Sequence, residues 1–249
     1  MTVLAIAGKE LRLYFGSFVF WALAAVFLVL CGYRFATNLS FYVIAGGMNL
    51  GLGLWQQQVF DVEAFLLVLV PLLTMRLFAE ERRLGTLELL WTYPVRDVEI
   101  VAGKYLACVA VVAILLAATA LHPVMLATIT PVDAGPLVAG YLGLFLLGAA
   151  FVACGLFASA LTDSQLVAAA AAYGLLFFFW IVTWNEAAMS EITLRVLLPL
   201  SLFDRFYAFA RGAVDTRDVV YLVLFTLVFL AFTFLALDTR RWRGVRSRS

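Results

Sequence analysis

Six stretches of this chain are long and apolar enough to cross a bilayer as helices, and no other feature limits its fold as strongly. They run approximately 17–36, 61–79, 99–121, 136–160, 165–184 and 219–237. A helix needs about 20 predominantly apolar residues to cover a hydrocarbon core roughly 30 Å thick. Lipid offers the backbone no hydrogen bonds, so a spanning segment must satisfy its own. Barrel strands would instead alternate polar and apolar residues in units of about ten. The expected fold class is therefore an all-α integral membrane protein with six transmembrane helices. Only 13% of residues are charged, against about a quarter in soluble domains. The net charge of +1, with basic residues in short scattered clusters, gives no footing for a nucleic-acid partner. Cys31, Cys108 and Cys154 fall inside apolar runs without paired spacing, which suits small core residues rather than a disulfide or a zinc site. No cleavable signal is expected ahead of the first run, because Lys9-Glu10-Leu11-Arg12 leads into it without a small-residue cleavage pattern.

Orientation follows from Lys and Arg near the span ends. Lys9 and Arg12 precede the first span, Arg76, Arg82, Arg83, Arg96 and Lys104 surround the second connection, and five arginines lie between Arg240 and Arg248. With six spans these regions share one side, predicting cytoplasmic termini and a basic cytoplasmic tail over 239–249. Segments 37–60 and 122–135 contain no Lys or Arg, as outer connections should. The segment 185–218 disagrees in part. It holds Arg195, Arg205, Arg211 and Arg217, with five acids beside them, and its length suggests a small extracytoplasmic cap. Within it Arg211, Asp215, Arg217 and Asp218 alternate in sign, the pattern of an outer gate or partner dock, or simply of a salt-bridged cap. Residues 41–55 are apolar but carry Gly46, Gly47, Gly51 and Gly53, so an interfacial or re-entrant segment is expected there rather than a helix. Residues 1–16 place Leu4, Ala7, Leu11, Tyr14 and Phe18 on one stripe, the pattern of an N-terminal interfacial helix on the membrane surface or of a simple extension of the first span.

The most unusual stretch is the charged one between the second and third spans, "FAEERRLGTLELLWTYPV" from Phe78 to Val95. Glu80, Glu81, Arg82 and Arg83 alternate with Leu84, Leu87, Leu90 and Trp91 at helical spacing. Gly85 interrupts the pattern, Thr86 can cap a second short helix with Glu88 in its first turn, Pro94 stops it, and Asp97 is placed to cap the third span. Two short helices meeting at a corner over 80–97 are expected. In the spans around 136–172, Gly148, Ala149, Ala153, Gly155, Ala158, Ser159 and Ala168 to Ala172 provide the small surfaces that let helices approach closely in lipid.

Two stretches carry a family resemblance. "MRLFAEERRLGTLELLWTYPVRDVEIVAGKYLA" (Met75 to Ala107) resembles the signature region of ABC-2-type transporter permeases, E-x-x-x-G-T-x-E-x-L followed by P-V and then G-K-x-x-A. "FDRFYAFARGAVDTRDVVYLV" (Phe203 to Val223) is similar to the R-G-V-I-D-x-R-D-V-x-Y stretch of the gliding-motility and nitrous-oxide-reductase-maturation branch, with Ala213 and Val214 where Val and Ile are usual. The resemblance covers essentially the whole chain. It implies an ABC-2 (type V exporter-like) permease fold in a bacterial inner membrane, working as a homodimer or heterodimer with a second permease. Each copy would bind one cytoplasmic ABC ATPase, with ATP and Mg on that partner and no cofactor on this chain. Glu80, Glu81, Arg82, Gly85, Thr86, Glu88 and Leu89 would form the coupling region that docks on the ATPase. An amphiphilic or polymeric cargo is expected, its export direction resting on the resemblance alone.

Other signals have plainer explanations. "AGKYL" at Ala102 to Leu106 lacks the glycines and the Ser or Thr of a phosphate loop, so ATP hydrolysis belongs to a separate polypeptide and Lys104 is expected to be an interface anchor. His122, the chain's single histidine, has no companions for a metal site. No Gly-x-Ser-x-Gly, His-Glu-x-x-His or mid-span Asp pair suggests catalysis, so no enzyme is expected. Arg34, Asp61, Glu63 and Arg76 are expected near span ends, which disfavours the alternative of a secondary transporter or channel with ionisable groups at mid-membrane. A further alternative is a membrane adapter that couples the ATPase to an extracytoplasmic, periplasmic partner on the 185–218 cap.

Overall fold

The computed structural model describes residues 2–44, 50–86, 96–181 and 201–246, and in them the chain is helical with short connections. In chain order the helices are α1 (Thr2–Phe15), α2 (Phe18–Ile44), α3 (Leu50–Thr74), α4 (Arg76–Arg83), α5 (Asp97–Thr119), α6 (Leu121–Ala127), α7 (Ala134–Leu161), α8 (Gln165–Ile181), α9 (Leu202–Ala210) and α10 (Thr216–Arg246). Among the described residues, five helical stretches are long and apolar enough to cross a membrane: Phe18–Ile44, Gly51–Arg83, Asp97–Ala127, Ala134–Leu161 and Thr216–Thr239. The fifth apolar run of the sequence, 165–184, is described as far as Ile181, and its apolar helix Gln165–Trp180 is shorter than these five.

α7 is the centre of the bundle. It contacts α3, α5, α8, α9 and α10, and 78% of its most apolar window is buried, against 28% for α2 and 22% for α10. Its small residues explain that position. A Cβ on Gly148 would lie 2.9 Å from Val112, and one on Gly143 would lie 2.5 Å from Phe209. A Cβ on Gly155 would overlap Thr74 Oγ1 outright. The neighbouring helices thus sit closer than any larger residue on α7 would allow. α2 and α10 lie at the periphery and expose Val26, Val29, Leu224, Leu227 and Leu235, as membrane-facing surfaces should.

The structure departs from expectation over residues 41–55. Leu50 to Trp55 open α3 and Phe41 to Ile44 close α2, while residues 45–49 lie outside the described chain. Helix propensity alone disfavours Gly51 and Gly53, by about 1 kcal/mol each. Packing outweighs it: a Cβ on Gly51 would sit 3.1 Å from the Pro131 carbonyl oxygen, and one on Gly53 only 3.0 Å from the Tyr42 ring. These glycines are contact points within helices. As a result α3 begins eleven residues before the expected 61, and Asp61 and Glu63 fall near its middle rather than at an end.

α3 runs into α4 through a joint at Met75. Pro71 removes one backbone donor, and the Thr74 hydroxyl turns back to the Val70 carbonyl at 3.0 Å. Ser159 of α7 holds the joint, accepting hydrogen bonds from the Phe78 and Ala79 N–H groups at 3.1 Å and donating to the Met75 carbonyl at 3.0 Å.

Candidate functional site

α4 is short and amphipathic. Leu77, Phe78 and Ala79 are buried against the bundle, while Arg83, Leu84, Gly85 and Thr86 are exposed. The helix ends as its sequence suggests. Gly85 takes a φ of +70°, its N–H donates to the Arg82 carbonyl at 2.9 Å, and the Leu84 N–H donates to the Glu80 carbonyl at 3.0 Å. Only glycine adopts that left-handed turn without strain. The Thr86 hydroxyl then donates to the Glu81 carbonyl at 3.2 Å. Glu88 and Leu89, with the expected second short helix, lie outside the described residues.

Behind this corner sits a buried ion cluster. The Lys104 ammonium, on a residue 1% exposed, lies 2.8 Å from Glu10 Oε1 and 3.0 Å from Glu81 Oε1. Lys9 reaches the same Glu81 oxygen at 3.3 Å, and Lys104 Nζ also stands 5.3 Å from the centre of the Phe78 ring. α1, α4 and α5 are thus pinned at one point. Arg76 pairs with Glu80 at 3.3 Å and donates to the Ser17 hydroxyl at 3.0 Å, joining α4 to the α1–α2 turn. Arg82 is directed inward to Asp163, 3.8 Å away in the α7–α8 connection. Of the residues expected to face a partner, Glu81 and Arg82 are mostly committed to the bundle, and the exposed tip is Arg83 to Thr86.

Lys104 was expected to be an interface anchor; it is the hub of this cluster instead. Glu10 was not singled out at all. Its signal was available in the spacing, because Ala7, Glu10 and Tyr14 are the buried residues of α1, whereas Leu4 and Phe18 of the expected stripe are 75% and 85% exposed. A carboxylate on a buried helix face asks for a cation, and Lys104 is that cation. α1 follows the first part of α5: Thr2 donates to Glu99 at 2.5 Å, Ile6 covers Gly103 and Glu10 meets Lys104. Farther along α1, the buried Tyr14 phenol donates to the Leu73 carbonyl at 2.9 Å. Burial raises that phenol well above its ordinary pKa, so it stays protonated as a donor. At the start of α5 the cap also differs from expectation. Arg96 occupies the N-cap position, Glu99 accepts from its N–H at 3.1 Å, and Asp97 is the first helical residue.

Of the four charged residues expected to form an outer cap or gate, Asp218 is the one with a salt bridge among the described residues, and its partner is Arg205 rather than one of the four. Asp218 binds Arg205 at 2.9 Å. Arg211 lies over the Tyr207 ring, 4.2 Å from its centre, and donates to its hydroxyl. Asp215 accepts from the Arg217 N–H at 2.9 Å and starts α10. Gly212, with φ of +86°, turns the chain beneath Pro136. Inside the bundle, Arg34 and Asn38 of α2 bind Asp61 at 2.9 and 2.7 Å, Glu63 is buried beside Trp180, and His122 lies 3.4 Å from Gln58. The ionisable groups expected at span ends are therefore partners in helix packing.

The family model for ABC-2 family transporter proteins matches residues 4–242, nearly the whole chain. No curated protein matches it.

Proposed function

We propose, from the premise that this chain belongs to the ABC-2 family of transporter proteins, that it is the permease through which a separate cytoplasmic ATPase drives export of an amphiphilic or polymeric substrate. Membership makes it a multi-pass membrane permease of an ABC transporter and implies an ABC ATPase as partner, ATP and Mg being bound there. The exposed turn Arg83 to Thr86, with Glu80 and Glu81 at its base and Glu88 and Leu89 beyond it, is the region we assign to the ATPase contact. In this reading the α4 end of the bundle is cytoplasmic, both termini lie on that side of a bacterial inner membrane, 165–184 forms a sixth span, and the permease works as a dimer.

The single observation that carries the reading is the joining of the α4 corner to four other elements. Lys104 links α4 to α1 and α5, Ser159 links it to α7, and Arg82 reaches the α7–α8 connection. A displacement of the corner by a closing ATPase is passed to these helices as a rigid movement, the kind of step by which domain closure becomes helix tilt. The test is co-purification of the full chain with its cassette ATPase, followed by ATPase assay with Glu81→Lys and Gly85→Pro. Loss of association or of permease-stimulated turnover in both variants is expected; unchanged association and turnover would reject the assignment.

A further inference from the structure

Around the ion cluster the helices sort into two blocks. α1 lies along α5, with Ile6 so close over Gly103 that a Cβ there would stand 2.7 Å from it, and with Thr2 bonded to Glu99. α4 packs on α7 and α8, its first turn held by Ser159. The blocks are pinned together at one end of their seam. There the Tyr14 phenol reaches the Leu73 carbonyl, Arg76 reaches the Ser17 hydroxyl, and the Phe78 ring stands 5.3 Å from Lys104 Nζ. Beside these pins the seam is unfilled. A cavity of about 280 Å³ has Leu13 and Tyr14 of α1 on one side and Leu77 and Leu84 of α4 on the other. Glu81, one turn beyond Phe78, bridges the seam by binding both Lys104 of α5 and Lys9 of α1. A joint that is pinned at one end and poorly filled at the other opens locally at the unfilled end.

We propose that the Lys104–Glu81 contact is a releasable latch between the α4 corner and the α1–α5 pair, with Glu10 the positioning residue that makes release possible. In the latched state Glu81 Oε1 is shared by two ammonium groups, while Oε2 is buried with no hydrogen-bond partner among the described residues. A buried carboxylate oxygen without a donor is costly, so the closed latch carries an opposing load. On release the Glu81 carboxylate swings toward the cavity mouth and both of its oxygens are hydrated. Lys9, whose side chain is 55% exposed, follows it. Lys104, which stays buried, keeps Glu10 at 2.8 Å. Two acids and two bases are thus paired in either state, and no charge is stranded when the seam opens. What Glu81 gives up at Lys104 is offset by the hydration of Oε2. The latch belongs to the chain itself and stands or falls apart from the ATPase contact.

The test is the rate at which a water-soluble maleimide labels the full chain carrying Leu77→Cys, in detergent and without an ATPase. Leu77 lines the cavity from α4 and is 3% exposed, so its substitute reacts as the seam opens. Cys31, Cys108 and Cys154 are buried, and their reaction reports global unfolding instead. Glu81→Gln removes the latch and is expected to speed labelling at least about tenfold, the scale of one charge-assisted hydrogen bond. Glu10→Gln is expected to slow it at least about tenfold, because release then leaves the Lys104 ammonium buried without a counter-charge. Glu10→Asp, which keeps the charge but draws it back, is expected to fall between Glu10→Gln and the native sequence, and it decides the matter if Glu10→Gln fails to fold. A cluster that merely holds the helices together loosens when either carboxylate is neutralised. Labelling in Glu10→Gln or Glu10→Asp as fast as in the native background, or faster, therefore overturns the proposal. So does an unchanged rate in Glu81→Gln.

Discussion

The two charged ends of the bundle use similar residues for opposite purposes. At the α4 end, beside the local Arg76–Glu80 pair, the ion pairs Lys9–Glu81 and Glu10–Lys104 join residues 72 and 94 positions apart. At the α9 end, among the described residues, Arg205–Asp218 and Arg211–Tyr207 are 13 and 4 positions apart. The first kind ties separate helices into one body. The second finishes a turn. Burial separates them too, since the Lys104 side chain is 2% exposed and that of Arg205 is 32% exposed. Charge at a membrane protein's rim therefore carries no single meaning, and sequence distance between partners together with burial distinguishes a strut from a local clasp.

The sharpest way to break this contrast is to remove one member from each end. Lys104→Met leaves Glu10 and Glu81 with only the half-exposed Lys9 beside them, and a loss of up to about 3–5 kcal/mol is expected, read as the detergent melting shift of the purified chain. Gly155→Val should come next. It places side-chain volume where Thr74 already stands, and overpacking of this kind costs about 1–3 kcal/mol or more; urea or thermal unfolding measures it. Ser159→Ala strands the buried Phe78 and Ala79 N–H groups, an expected loss of about 1–3 kcal/mol, with faster hydrogen exchange confined to α4. Gly85→Ala strains the left-handed turn by about 1 kcal/mol, and exchange of the Leu84 and Gly85 amides should report it. Arg205→Ala at the other end is expected to cost no more than about 1 kcal/mol, because partly exposed pairs contribute little. If Arg205→Ala proved as damaging as Lys104→Met, the distinction between the two ends would fail.

Much of the helical layout was legible because lipid leaves so few options. Hydropathy located the five long helices, and glycine in "RLGT" marked the end of α4. Small residues over 148–159 pointed to close packing, though not to α7 as the helix the others surround. What escaped was contact made across long sequence separations. Glu10 gave no sign of its partner, since Lys104 lies 94 residues away. Gly51 and Gly53 looked like helix breakers, because the value of a missing Cβ appears only once Pro131 and Tyr42 are opposite. That misjudged start of α3 also misplaced Asp61 and Glu63. In the candidate site, the glycine at the corner was readable from local chemistry, whereas the Thr86 bond to the Glu81 carbonyl was not, and the inward turn of Arg82 depended on Asp163 arriving from another connection.

The notched face of α7 has a mechanical meaning. Side chains that interdigitate resist sliding, because each must climb out of its neighbour's groove before the helices shift. On α7 the grooves are occupied: Phe209, Val112 and Thr74 sit against Gly143, Gly148 and Gly155, and Leu147, Phe151 and Leu156 are buried among the neighbours, so the adjoining helices are keyed to it and shift with it rather than along it. α7 is in this sense a keyed shaft. The Ser159 hydroxyl adds a polar key on its α4-facing stretch, and its three hydrogen bonds fix α4 to the same shaft.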